Sequence, residues 1–161
     1  MKTALTLAGC IALGLPCFGQ ESVPVQWVLT ASAESGSPVA PGSEVSAQLD
    51  ARIEPGWHIY SLHEEPGGPT AMKIGVPAGS PFAISGDVDA PRPESAADPG
   101  FGIVTRFYTS KVRLSVPLRS TRKAAGTVTV DVEYQACNRE TCLRPAVEHL
   151  TAPVTKTERQ R

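Results

Sequence analysis

The feature that most constrains this chain is an apolar residue at every second position in several segments. The clearest runs are Val45, Ala47, Leu49, Ala51 and Ile53; Leu114, Val116 and Leu118; and Val128, Val130, Val132 and Tyr134. Because successive side chains of a strand point to opposite faces of a sheet, each run predicts a strand with one buried face. No segment shows a helical period of comparable length. This pattern therefore predicts an all-β fold.

Turn residues bound these runs, and the 161 residues include 14 Gly and 15 Pro. We predict strands over residues 23–33, 43–53, 56–62, 70–76, 82–88, 104–118, 126–137 and 142–151. Seven or eight short antiparallel strands in one domain favour an immunoglobulin-like antiparallel β-sandwich over a small barrel. Residues 87–102 form a long polar, proline-rich loop, and loops of that length tend to be functional or disordered.

The first nineteen residues, MKTALTLAGCIALGLPCFG, have the features of a signal peptide. Lys2 precedes an apolar run that ends before Pro16, and Gly19 supplies the small residue expected at a cleavage site. The segment Leu7–Cys10 resembles a lipoprotein cleavage box, but a long apolar run follows its cysteine, so we do not predict lipidation. We predict an exported, periplasmic domain over residues 20–155 and a frayed tail over 156–161.

The charge balance argues against a nucleic-acid partner, and the hydropathy argues against a membrane span. The 15 Lys and Arg nearly balance the 16 Asp and Glu, for a formal net charge of −1, so we predict no nucleic-acid partner. Beyond the signal peptide no apolar run reaches the 18 or more residues of a typical membrane span, so we predict that the mature chain does not cross a membrane.

Removal of the signal peptide would also remove Cys10 and Cys17, leaving Cys137 and Cys142 as the cysteines of the exported chain. They lie in YQACNRETCLRP, residues 134–145, and four residues separate them. A connection of that length is common in β-hairpins. It would place the two Cα atoms about 4.5–5.5 Å apart, within the range that a disulfide requires.

The residues alone leave three roles open for this pair. A structural disulfide closing so short a loop contributes roughly 2 kcal/mol, against about 4.7 kcal/mol for a hundred-residue loop, which moves weight toward redox chemistry. A metal half-site needs further ligands, and His58, His63 and His149 do not have metal-ligand spacing, so we predict neither a metal nor a cofactor. A structural hairpin disulfide and a redox pair remain as the main alternatives.

Three segments resemble the N-terminal periplasmic domain of the DsbD thiol:disulfide interchange protein. They are YQAC with the second cysteine at 142, PGWHIYS at residues 55–61 and PGGPT at residues 66–70, and the resemblance spans residues 23–152. It implies an immunoglobulin-like sandwich whose cysteine pair relays electrons. The implied donor is a membrane thiol reductase system, and the implied acceptors are periplasmic thioredoxin-like proteins, including those of cytochrome c maturation, or disulfide isomerases.

The resemblance also implies roles for individual residues. Cys142 would attack the partner's disulfide and Cys137 would resolve the mixed disulfide. Phe101 matches the phenylalanine of a cap loop that shields the pair, although Pro99 and Gly100 stand where family members have acidic residues. His58, Tyr60 and Tyr134 would be aromatic neighbours of the thiols.

Two expectations about the whole protein complete this interpretation. Because the membrane domain and the thioredoxin-like domain do not occur in this sequence, we expect the domain to act as a stand-alone chain with the other parts of the relay on separate proteins. The alternative is a secreted β-sandwich binding module with a structural hairpin disulfide.

Overall fold

The computed structural model describes residues 23–157. The predicted signal peptide and the last four residues of the predicted tail lie outside the described part of the chain. The strands are β1 (Val25–Ala33), β2 (Glu44–Ile53), β3 (His58–Tyr60), β4 (Lys73–Gly75), β5 (Phe82–Ile84), β6 (Glu94–Asp98), β7 (Ile103–Thr109), β8 (Lys111–Ser120), β9 (Thr127–Tyr134), β10 (Ala136–Cys137) and β11 (Ala146–Lys156). Within residues 23–157, no helix is long and apolar enough to cross a membrane.

The strands form two sheets. The larger has seven strands in the order β4-β9-β11-β1-β2-β8-β5, and the smaller has four in the order β10-β3-β7-β6. The prediction of an all-β, immunoglobulin-like sandwich is confirmed. Strand direction differs from the prediction in one place, because β1 and β11 pair in parallel, with Ala31 opposite Val154. Alternation of apolar residues reports which face is buried and carries no information on strand direction.

The alternating runs form the core as predicted. Leu49 of β2 lies between Leu29 of β1 and Leu114 of β8, and both Leu49 and Leu114 are fully buried. The smaller sheet contributes Ile59, Tyr108 and Ala136 to the same apolar cluster. Because neighbours along a strand point to opposite faces, His58, Tyr60 and Cys137 lie on the other face of that sheet.

Several predicted strand boundaries are wrong, and the predicted strand 126–137 is divided between β9 and β10, which lie in different sheets. The predicted strand 104–118 is two strands, because Ser110 has a left-handed backbone with φ of 59° and turns the chain between β7 and β8. The long loop 87–102 contains β6, an edge strand without apolar alternation because most of its residues are exposed. The last strand begins four residues later than predicted and runs through Lys156, one residue into the predicted tail.

Candidate active site

The cysteines lie where the chain passes from one sheet to the other. Strand β9 ends in the larger sheet at Tyr134, and after Gln135 the chain continues as β10, an edge strand of the smaller sheet. Ala136 and Cys137 are consecutive and both buried, which interrupts the alternation of β9. The crossing therefore places Cys137 at a sheet edge, immediately before a turn.

The turn that follows is held by hydrogen bonds as well as by the disulfide. The backbone N–H of Asn138 donates to Thr141 O at 2.9 Å, and the N–H of Leu143 donates to Ala136 O at 2.9 Å. The side-chain oxygen of Asn138 accepts from the backbone N–H groups of Glu140 and Thr141, both at 2.8 Å. The fold of this hairpin thus has several contacts that do not depend on sulfur.

Cys137 and Cys142 are directly opposite each other and are joined by a disulfide. Their Cα atoms are 4.0 Å apart, closer than the separation predicted from the sequence. The two backbone hydrogen bonds flank the pair without joining it, which makes it the closely spaced, non-hydrogen-bonded kind of antiparallel pair. The predicted cross-strand pairing is therefore present in the structure.

The two sulfur-bearing residues differ sharply in exposure. Cys137 is 1% exposed, whereas Cys142 is exposed together with the residues on either side of it. Leu143, the next residue, is 39% exposed. Cys142 is therefore the more accessible residue of the pair.

His58 is the cross-strand neighbour of Cys137 and is half-buried. Its ring centroid lies 5.1 Å from that of Tyr60 and 5.1 Å from that of Phe107. Burial lowers the pKa of the imidazole from its ordinary value, and the negative charge of Asp98 partly opposes this effect. A neutral imidazole therefore stands beside the buried cysteine at neutral pH.

Tyr60 connects this group to the loop that carries Phe101. Its hydroxyl donates to Asp98 Oδ2 at 2.9 Å, and its ring is edge-on to that of Phe101 with centroids 6.1 Å apart. Burial is the main cause that raises the pKa of Tyr60, and the hydrogen bond and charge of Asp98 add to it. The phenol thus remains a hydrogen-bond donor.

The loop between β6 and β7 is a tight turn built on Asp98. Its side chain accepts the backbone N–H of Gly100 at 2.9 Å, and its carbonyl accepts that of Gly102 at 2.7 Å. Gly102 has a φ of 68°, a backbone conformation that glycine adopts without strain. Asp98 therefore fixes the turn and also anchors it to Tyr60.

The structure brings most of the candidate residues together. Cys137, His58 and Tyr60 share one face of the smaller sheet, Cys142 is bonded to Cys137, and Phe101 joins the group through Tyr60. Tyr134 is separate, since it is buried in the core with its ring 5.5 Å from that of Trp27.

Sequence reasoning assigned no role to two residues near the pair. Phe107 lies opposite Tyr60 on β7 and contacts His58, and its spacing of two residues from Thr105 and Thr109 puts the three side chains on one face of β7. Gln135 makes side-chain hydrogen bonds to two loops, for which the sequence contains no signal. Within residues 23–157, no group of three or more His, Cys, Asp or Glu side chains could hold a metal ion.

Comparisons with known proteins agree with this arrangement. The family described as thiol:disulfide interchange protein DsbD, N-terminal, matches residues 26–153, a range that includes both cysteines. A search of curated proteins finds no match.

Two solved structures have a similar fold. The N-terminal periplasmic domain of ScsB from Proteus mirabilis aligns with a TM-score of 0.58 and 21% identity over 86% of this chain and 48% of its own. The N-terminal domain of Neisseria meningitidis DsbD in its reduced form aligns with a TM-score of 0.50 and 14% identity over 79% of this chain and 85% of its own. The chain thus spans about half the length of the ScsB domain. Because the family match covers nearly all of the described residues, the chain belongs to the family of DsbD N-terminal domains.

Proposed function

We propose that this protein exchanges thiols and disulfides with other redox proteins in the periplasm through Cys137 and Cys142. It would relay electrons from a membrane thiol reductase system to periplasmic thioredoxin-like proteins or disulfide isomerases. The observation that carries the proposal is the bonded pair itself, with one buried and one exposed cysteine at a sheet edge. Membership of the DsbD N-terminal family supports the same chemistry.

The difference in exposure supports separate roles for the two sulfurs. During reduction, a partner thiolate attacks Cys142 Sγ, the bond between the cysteines breaks, and Cys137 leaves with the electron pair. The partner's second thiolate then attacks its own bonded sulfur and releases Cys142. The pair gains two electrons, and two protons from solvent complete the dithiol.

Electron delivery reverses these steps. The Cys142 thiolate attacks a sulfur of the acceptor disulfide, which forms a mixed disulfide and frees one acceptor thiolate. Cys137 then attacks Cys142 Sγ and frees the second. Arg139 and Arg144 outnumber Glu140 beside the pair, and such a positive balance favours the thiolate form of Cys142.

The shape of the surface favours a protein as the partner. A groove of about 450 Å³ lies between residues 61–63, residues 88–93 and strand β7, and neither cysteine lines it. The pair instead lies on a hairpin with exposed residues on both sides of Cys142. A protein can dock on such a hairpin, whereas a small substrate held in the groove would lie away from both cysteines.

The loop that carries Phe101 is proposed as the cap of this site. Its anchor on Tyr60, which contacts the neighbour of Cys137, supports that role. Asp98 occupies the anchoring position although Pro99 and Gly100 replace the acidic residues that resemblance to the family would place there.

Trapping experiments test the proposed roles. Cys137→Ala leaves a Cys142 thiol that can attack but cannot be released, so it should accumulate mixed disulfides with oxidised thioredoxin-like proteins. Cys142→Ala should accumulate far less, because its remaining thiol is buried, and the double variant is the control that traps nothing. A wild-type pair with a reduction potential below about −300 mV, together with no trapped partner, would identify a structural disulfide instead.

A further inference from the structure

Gln135 lies at the point where the chain leaves the larger sheet. Strand β9 pairs with β4 on one side and β11 on the other. Beyond Tyr134 the chain turns away to form β10, so the segments next to it lose their strand partner. These segments contain Thr70, which precedes β4, and Leu143, which precedes β11.

The side chain of Gln135 bridges this gap. Its Oε1 accepts the backbone N–H of Thr70 at 3.1 Å, and its Nε2 donates to Leu143 O at 3.1 Å. An amide side chain has a carbonyl oxygen that accepts and an NH₂ group that donates, like the C=O and N–H groups of a strand. Gln135 thus replaces the backbone hydrogen bonds that β9 would have made if it had continued.

Leu143 is the residue after Cys142, so this contact bears directly on the exposed sulfur. The N–H of Leu143 donates to Ala136 O at 2.9 Å, and its carbonyl accepts from Gln135. Both backbone polar groups of Leu143 are therefore held by the two residues that precede Cys137. Neither contact involves sulfur, so breaking the disulfide does not remove them.

We propose that Gln135 is a positioning residue that keeps Cys142 beside Cys137 in the dithiol form, an inference that rests on the proposed exchange function. Closure forms the Cys137–Cys142 bond and breaks the bond between Cys142 and the partner, with the electron pair leaving on the partner's thiolate. Holding two reacting groups together raises their effective concentration and favours this closure. Without Gln135, the Leu143 carbonyl loses its side-chain donor. The exposed segment after Cys142 is then held less firmly, so the two thiols separate more readily.

The redox equilibrium with glutathione tests this role. We would equilibrate the wild type, Gln135→Met and Gln135→Glu in buffers of known glutathione ratio, then count the free thiols by alkylation and mass spectrometry. Methionine has a similar length but cannot bridge, while glutamate keeps the acceptor for Thr70 and loses the donor to Leu143. High salt in all samples screens the added charge of glutamate. Gln26→Met, at an exposed position of β1, is the matched control.

Both Gln135 variants should have an equilibrium constant for disulfide formation about three- to tenfold below that of the wild type, because closure must then order a segment of the dithiol that Gln135 no longer holds in place. Gln26→Met should match the wild type. The Cys142–glutathione mixed disulfide should also persist longer in the Gln135 variants, a kinetic effect that a general loss of stability would not produce.

The role of Gln135 would be overturned if both variants had the melting temperature of the wild type in the oxidised form and also its equilibrium constant for disulfide formation. If Gln135→Met fails to fold, Gln135→Glu still decides the matter, because it keeps the contact with Thr70. A wild type that does not exchange with any thioredoxin-like protein would overturn the proposed function instead. The two failures are therefore distinguishable.

Discussion

His58 shows how a single position next to Cys137 can make the protein sensitive to pH. Burial lowers the pKa of its imidazole below the ordinary value of 6.5. Between the folded-state pKa and 6.5, the unfolded chain therefore binds more protons than the folded one. By linkage, protonation in this window favours the unfolded chain.

We predict that the free energy of unfolding attributable to His58 falls as the pH decreases below 6.5, and that the fall ends below the folded-state pKa. His58→Phe removes the titrating group and keeps an aromatic ring against Tyr60 and Phe107, so its stability should depend less on pH in this range. Urea unfolding at several pH values between 5 and 8 measures the slope. The exposed His63 provides the control substitution His63→Gln. Equal slopes for His58→Phe and the wild type would contradict the prediction.

The hydroxyl of Tyr60 is the second residue-scale feature with a measurable effect. Tyr60 is 1% exposed and donates to a carboxylate oxygen of Asp98 that also has a longer contact of 3.4 Å with Thr105. Tyr60→Phe should reduce the free energy of unfolding by about 1–3 kcal/mol, because a half-buried carboxylate loses its principal side-chain donor. Urea unfolding of the oxidised protein measures this loss. Tyr108→Phe is the matched control, since its hydroxyl donates to the neutral carbonyl of Pro91 and its loss should cost less.

At the scale of secondary structure, the hairpin of β6 and β7 presents Phe101 at its turn. Asp98 and Gly102 fix this turn, so the ring can change while the loop keeps its shape. Phe101→Ala should therefore speed the reduction of the disulfide by dithiothreitol several-fold, because it removes the ring of the proposed cap. Stopped-flow measurement of thiol release gives the rate. Val104→Ala, at an exposed position of the same hairpin, is the control. A rate equal to that of the wild type would contradict the cap role of Phe101.

The same scale explains which strands the sequence could predict. Strands β2, β8 and β9 bury one face against the core, so their apolar residues alternate and reveal them. Strand β6 is an edge strand that pairs with β7, and its sequence is Glu-Ser-Ala-Ala-Asp. Most of these residues are exposed to solvent, so the strand does not need an apolar residue at every second position. Alternation therefore could not reveal it.

The site was predictable only in part, for a related reason. A disulfide between residues 137 and 142 follows from hairpin geometry, because a short connection brings the two residues opposite each other. The pairing of His58 with Cys137 and of Phe107 with Tyr60 depends on which strands are neighbours in the smaller sheet. Such neighbours are fixed by the packing of the whole domain, and the hydrophobic pattern of one strand does not encode them.

For the whole molecule, the position of the disulfide relative to the core determines whether the protein can change redox state without unfolding. The pair joins residues five apart at the edge of the four-stranded sheet. The core depends instead on the larger sheet, where Leu49 lies between Leu29 and Leu114. The first and last strands, β1 and β11, also pair with each other inside that sheet. Breaking the disulfide therefore leaves the contacts of the core intact.

We predict that the reduced protein remains folded and loses only about 2 kcal/mol of unfolding free energy, the amount expected from closing so short a loop. Leu49→Ala should cost more, about 2–5 kcal/mol, because it leaves a cavity at a fully buried position. Urea unfolding with and without a phosphine reductant measures the first difference, and the Cys137→Ala/Cys142→Ala variant should not respond to the reductant. Unfolding of the wild type on reduction would mean that the disulfide holds the fold together. A domain that keeps its core in both states can instead accept and deliver electrons repeatedly, which a relay requires.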